Sequence, residues 1–170
     1  MANFVTQIGE AFVGCGAEAA HLNTVLGLKG TPVEAAWVTA LASPSQGHVP
    51  FVAVLQPGLP VKPFTLFINK ASIAGNRHAE LTWGAGQAGV AQGVAEAVSQ
   101  NLIPRELVND LLVIAAVWVD PSAQDPELVF ANNSKATLDA IGAGATGSPK
   151  IGAVVEARSN PFNPYFRFRG

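Results

Sequence analysis

The sequence predicts a single-domain α/β (α+β) protein, a mixed β-sheet with helices packed on it. Three observations lead there. Segments with apolar residues at every second position alternate with segments where they recur about every fourth, and no long repeat organises them. The chain has 170 residues, enough for one core, since folding at about 150 residues removes roughly 70% of the extended chain's surface from water. Leu112 to Val119 is almost wholly apolar, as a strand covered on both sides requires.

Taken in order, Ile8 to Val13 and Ala19 to Leu26 read as strands, with Gly14-Cys15-Gly16 as the turn of a hairpin. Alternation in the second strand puts Ala20, Leu22, Thr24 and Leu26 on one face and His21, Asn23 and Val25 on the other. His21 and Asn23 are therefore neighbours on one surface. Thr31-Pro32-Val33-Glu34 starts a helix, with Thr31 as cap, Pro32 at the first helical position and Glu34 placed for a capping box. It runs to about Ala42, and Ser43 to Gly47 ends it. Phe51 to Leu55 is a short strand. Gln56 to Pro63 is a loop stiffened by Pro57, Pro60 and Pro63. Thr65 to Lys70 is a strand which, if extended to Ile73, puts Lys70 and Ser72 on one face. Trp83-Gly84-Ala85-Gly86-Gln87 leads into a helix with a Val90, Val94, Val98 stripe. Pro104 opens a short helix through Leu107, and Ser134 caps another through Ile141. Gly142 to Gly147 reads as a flexible loop and Ile151 to Ala157 as a last strand. The domain thus covers residues 1–158, and residues 159–170 form an irregular tail.

Composition narrows the function. Asp, Glu, Lys and Arg make up 13% of the chain, against about 25% in an average soluble protein. With 49% hydrophobic residues, part of the surface is expected to lie against other copies, in a homo-oligomer. Net charge is −2 with no basic block, which argues against nucleic acid as a partner. Arg167 and Arg169, interleaved with Phe166 and Phe168, read as a tail that docks on a neighbouring subunit. Cys15 is the sole cysteine, leaving neither an intrachain disulfide nor a thiolate metal cluster. The first residues lack a basic region followed by an apolar run, so no signal peptide is expected. No stretch reaches about 18 continuous apolar residues, so no membrane partner is expected and the location reads as cytoplasmic.

Gly84, Gly86 and Gly89 have the bare spacing of a dinucleotide loop, but Arg77-His78-Ala79-Glu80 before them is helical in character where the fingerprint needs a strand. Gly142 to Gly147 lacks the Lys-Ser/Thr ending of a P-loop. The histidines, His21, His48 and His78, show no metal-ligand spacing, so the metal expectation is none. A Ser–His–acid triad would lack its Gly-x-Ser-x-Gly elbow. His21 has two readings: a half-buried strand residue with a satisfied ring, or a general acid–base, since free imidazole titrates near pH ~6.5. Lys70 is a strand-end lysine whose ammonium reaches water, or a ligand contact.

Three ordered blocks decide between those readings. The chain has Gly9-Glu10-Ala11-Phe12-Val13-Gly14 followed by Gly16-Ala17-Glu18-Ala19-Ala20-His21-Leu22-Asn23. It then has Pro57-Gly58-Leu59-Pro60-Val61-Lys62-Pro63-Phe64-Thr65 leading to Asn69-Lys70, and Trp83-Gly84-Ala85-Gly86-Gln87. At nearly constant spacing from residue 8 to about 120, and more weakly through Asn133-Ser134-Lys135-Ala136-Thr137, the chain resembles the formaldehyde-activating enzymes. The resemblance implies condensation of formaldehyde with tetrahydromethanopterin, as co-substrate, to methylene-tetrahydromethanopterin and water. It also implies a β-α-β sandwich with a left-handed crossover, and a homopentamer with pterin clefts between subunits. The family's proton-donating histidine falls on His21, and its pterin contacts fall on Asn23, Val52, Lys70, Ser72 and Gln87. The Gly84–Gly89 turn then belongs to a pterin cleft. Where the family has an aspartate, a leucine and a threonine, this chain has Asn23, Val52 and Ser72, and the proline of the third block is Ala85. A carboxylate beside an imidazole favours its protonated form, and an asparagine exerts no such pull. The alternatives are therefore a pterin- or formaldehyde-binding paralogue without turnover, acting as sensor or carrier, and an enzyme for another pterin or amine.

Overall fold

Gly14 at φ 86° and Gly16 at φ 67° turn the chain back between β1 (Gln7–Val13) and β2 (Ala20–Leu28), which pair antiparallel. These left-handed angles suit glycine because no Cβ meets the following carbonyl. The computed structural model describes residues 4–164 and 166–167; Phe168 and Arg169 of the expected docking tail lie outside them. A five-stranded mixed sheet runs in the order β1-β2-β7-β6-β3, with β3 at Phe51–Val52, β6 at Phe64–Asn69 and β7 at Leu111–Trp118. β6 and β7 pair parallel, and the helices between them make the crossover.

The sheet's two faces are covered unequally. On one, α3 (Gln87–Ser99) and α4 (Pro126–Thr146) bury Leu22, Phe67, Ala115 and Val117 against Val90, Val129, Ala136 and Ala140. On the other, among the described residues, α1 (Pro32–Ala42) is the covering helix: Val33 and Trp37 cover Leu66 and Leu112, with Val25 and Ile114 beside them. The α1 start follows the sequence reading, with Thr31 Oγ1 accepting from Val33 N at 3.3 Å and Glu34 accepting from Gly30 N at 2.8 Å. The predicted alternation in β2 holds: Ala20, Leu22, Thr24 and Leu26 are buried, while His21, Asn23 and Val25 are partly exposed.

Several elements differ from expectation. Ser134 caps nothing; it lies within α4, and its hydroxyl donates to Gln92 Oε1 at 2.8 Å. The true cap is Asp125, which accepts from Glu127 N at 2.9 Å and Leu128 N at 3.1 Å ahead of Pro126. The polar run Asn132-Asn133-Ser134 stays helical because its side chains find partners: Asn132 Nδ2 donates across the packing to Glu18 O at 2.9 Å, and Asn133 Nδ2 donates to Val129 O, one turn back in α4, at 2.8 Å. Residues Gly142 to Thr146 are helical rather than a loop, and Gly144 lets the last turns of α4 lie against β1, where a Cβ on it would stand 3.3 Å from Gln7 Cβ. The helix ends at Gly147, φ 59°.

Ile151–Ala157 is a helix, α5, not a strand: Ile151, Val154 and Val155 form a one-sided stripe at helical spacing, and such a short apolar run fits either period. The Phe51 to Leu55 segment divides into β3 and β4 (Val54–Gln56), because β4 leaves the sheet to pair with β5 (Leu59–Pro60) inside the expected loop. β6 stops at Asn69, whose side-chain amide donates to Gly47 O at 2.8 Å and Ala71 O at 2.7 Å, bending the chain before Ile73. The glycines at 84–89 follow α2 (Asn76–Glu80) through a π-helical turn, Leu81–Gly86, with no strand before them. Within the tail, β8 (Phe162–Asn163) and β9 (Phe166–Arg167) pair antiparallel where irregular chain was expected.

The α3–α4 contact is closed by small residues. A Cβ on Gly93 would stand 2.5 Å from Ser134 O and 2.6 Å from Thr137 Cβ. Gly93→Ala is therefore expected to destabilise the fold by about 1–3 kcal/mol, read as a lower urea midpoint at unchanged slope. Gly152→Ala in α5, where a Cβ meets nothing within 4 Å, is the control and leaves the midpoint unlowered.

Candidate active site

Residues opposite one another in neighbouring strands share a face. The register pairs Phe12 with His21, Glu10 with Asn23, and Ile8 with Val25, and on the other side of β2 it pairs His21 with Trp118 and Asn23 with Ala116. Ile68 lies beside Ala116, and the ladder continues one residue past β6, where Lys70 N donates to Val117 O at 2.7 Å. These side chains occupy the part of the sheet that α1 leaves open: Ile8 is 71% exposed and Phe12 41%.

Two polar pairs form on this surface. His21 Nε2 lies 3.1 Å from Glu10 Oε1, an ion pair when the ring is protonated. Lys70 Nζ donates to Asn23 Oδ1. The pairs are electrically linked. Burial holds the Lys70 ammonium below the usual lysine range, and the Glu10 carboxylate pulls the other way. The Phe12 ring flanks His21 at 6.0 Å between centroids, tilted by 46°.

His21, Asn23 and Lys70 are thus brought together. Val52 sits in β3 opposite Leu66, packed against the apolar cluster under α1. Ser72 is exposed; its Oγ lies 3.0 Å from His48 Nε2, whose Nδ1 lies 2.8 Å from Asn69 O. Since His48 Nδ1 must donate to that carbonyl, Nε2 accepts and the Ser72 hydroxyl donates. Gln87 opens α3 on the opposite side of the sheet. It is buried, and its amide donates to Val54 O at 2.9 Å and accepts from Val54 N at 3.4 Å. Gln87 therefore pairs with one residue of β4 as a neighbouring strand would.

Sequence reasoning missed Glu10 as a partner of His21. The connection between β1 and β2 includes a 3-10 turn at Gly16–Glu18, and the register it leaves, which alternation within one strand does not show, puts residue 10 diagonally across from residue 21.

Comparison with known proteins identifies the family. The family model described as formaldehyde-activating enzyme (Fae) matches residues 8–166. The chain belongs to this family. It is 36% identical over 160 residues to the 5,6,7,8-tetrahydromethanopterin hydro-lyase of Methanosarcina barkeri, covering 94% of this chain and 90% of that protein. It is 38% identical over 163 residues to the bifunctional enzyme Fae/Hps of Methanosarcina acetivorans, and 36% identical over 159 residues to that of Archaeoglobus fulgidus. The chain spans 42% and 40% of the length of those two proteins.

In this formaldehyde-activating enzyme family member, Lys70 carries a burial cost that its own stability reveals. Its folded-state pKa lies below the unfolded value, so the unfolded chain holds that proton more firmly and stability rises as pH climbs through the interval between them. Below that interval the cost is fully present. Lys70→Met removes it. Urea midpoints of variant and parent, compared between pH 7 and the ordinary lysine range near ~10.4, should differ most in the variant's favour at neutral pH and converge as pH rises.

Proposed function

We propose that this protein condenses formaldehyde with tetrahydromethanopterin to give methylene-tetrahydromethanopterin and water, with His21 as general acid–base. The observation that carries the reading is the His21–Glu10 pair, set beside the Lys70–Asn23 pair on the open part of the sheet. The name and 90% coverage of the Methanosarcina barkeri relative support the substrate pair.

In the reaction one pterin amine adds to formaldehyde, giving a carbinolamine. The departing hydroxyl needs a proton and leaves as water; a second amine then closes the ring. His21 supplies the first proton and takes back the second. Its partial exposure lets a substrate reach the ring, and the sheet holds the ring still. Positioned acid–base catalysis gives about 10²–10⁴-fold.

The remaining residues orient the pterin. Asn23, Lys70 and Ser72 offer hydrogen-bonding groups, Val52 an apolar wall, and Gln87 acts by holding the β3–β4 backbone. The polar open surface is bordered by exposed apolar side chains, Ile8, Phe12 and Val38 among them, a combination that suits burial against other copies. We assign to it the family's homopentamer, with pterin held between subunits, in the cytoplasm.

The test is the initial rate of methylene-tetrahydromethanopterin formation above the spontaneous reaction from pH 6 to 8. The parent accelerates the reaction, and His21→Ala loses about 10²–10⁴-fold of that acceleration. A parent rate equal to the spontaneous one sinks the proposal.

Asn23 favours a second reading, a cleft that binds pterin without turnover. Asn23→Asp separates the two. With Glu10 already beside His21, the substitution leaves the parent's acceleration within about threefold, well inside one acid–base contribution. A silent parent that binds pterin by calorimetry, together with a variant that gains activity on this substitution, supports the second reading.

A further inference from the structure

Several groups face His21. On its own strand there is Asn23, on β1 Glu10 and Phe12, on β7 Trp118, and after β6 Lys70. Of these, Lys70 and the Trp118 indole can only donate hydrogen bonds, and Phe12 can do neither. The Asn23 carbonyl oxygen accepts from Lys70, on the side away from the ring's contact with Glu10. That leaves Glu10 as the acceptor for a ring N–H, and its Oε1 stands 3.1 Å from Nε2.

We infer that Glu10 is a positioning residue: by accepting from Nε2–H it fixes the orientation and tautomer of His21, so that Nδ1 is the nitrogen that exchanges protons with the substrate. The inference rests on the acid–base reading of His21 given above and deepens it by naming the working atom. A neutral imidazole carries one N–H, and the nitrogen it leaves bare is set by the partner of the other. With the proton of Nε2 directed to Glu10, the neutral ring presents a bare Nδ1 and the protonated ring an Nδ1–H.

The proton balance then closes on one atom. Nδ1–H gives its proton to the carbinolamine hydroxyl, the C–O bond breaks and water leaves. The amine lone pair forms the C=N bond of the iminium. The second amine attacks that carbon, a C–N bond forms, and the proton it sheds returns to Nδ1. Glu10 stays ionised throughout and offsets the ring's positive charge in the protonated state. It does so without touching the substrate.

Glu10 is exposed at the sheet's edge strand, its side chain 60% accessible, so truncating it does not threaten the core. The experiment uses the full chain: imidazole ¹⁵N spectra of the parent, Glu10→Ala and Glu10→Gln, with kcat and KM for tetrahydromethanopterin, and His21→Ala alongside. The parent's neutral His21 should show the Nε2–H tautomer. Glu10→Ala should lose that preference and lower kcat by about 10- to 100-fold, a part of what positioned acid–base catalysis supplies, with KM little changed. Glu10→Gln keeps an acceptor without the charge, so it should retain the tautomer and lose part of the rate. If His21→Ala loses its rate while Glu10→Ala alters neither kcat nor the ring signals, the acid–base reading stands and this inference is overturned. If His21→Ala keeps the parent rate, the acid–base reading itself falls, and the ring signals still decide whether Glu10 holds the imidazole.

Discussion

The close seating of α4 against the β1–β2 hairpin governs the rest of the molecule. A Cβ on Gly9 would overlap the carbonyl of Ala140, so the helix and the strand meet at backbone distance. That contact commits one face of the hairpin to the core and, by the two-residue period of a strand, commits the other face outward. Leu22 and Thr24 go in; His21 and Asn23 go out. A register slip of one residue would bury the imidazole and expose Leu22. The same packing spends both α3 and α4 on one side of the sheet, leaving α1, among the described residues, to cover the other. The open surface beside α1 is a consequence of that division.

On that surface charge is scarce. Glu10 is the carboxylate that both His21 and Lys70 feel. Two basic groups sharing one acid cannot both be fully compensated, and burial keeps the Lys70 ammonium below its ordinary range despite Glu10. Hydrogen bonding covers part of the shortfall: the Asn23 carbonyl oxygen accepts from Lys70 and adds no charge. A site built this way suits a ligand that brings its own hydrogen-bonding groups and little net charge of its own sign to oppose.

Strands β1, β2, β6 and β7, α1 and the entry into α3 were legible because each rests on a local rule: alternation or an apolar run, a Thr-Pro-x-Glu start, a valine stripe. The failures share a cause. Asn132, Asn133 and Ser134 read as a boundary, yet Asn132 and Ser134 find partners across the packing that one-dimensional pattern does not show, and Asn133 bonds back to Val129 O within the helix. The glycines from 142 onward read as flexible chain, yet Gly144 serves close approach to β1 and Gly147 ends the helix. Ile151 to Ala157 is short enough to fit both periods. At the site, His21 and Asn23 were found together because alternation puts them on one face; Lys70 lies on another strand, and only the family resemblance joined it to them. Glu10 was missed because its position depends on the register between strands, which no single segment contains. Ser72 was placed beside Lys70 by a strand that ends early; it partners His48 instead.

That register also changes what the exchange of aspartate for Asn23 means. Residues two apart on a strand share a face but stand about 6.6–6.8 Å apart along it. A group at position 23 therefore does not meet the His21 ring end-on, whereas Glu10, diagonal to it on β1, does. Position 23 meets Lys70 instead. A carboxylate there would neutralise the lysine, and the asparagine leaves it charged. The histidine keeps its acid because that acid comes from another strand. Under the proposed function, the departure from the family pattern falls on a residue assigned to the pterin, not on the residue assigned to proton transfer. On that reading its effect belongs in substrate binding and selectivity rather than in the protonation step.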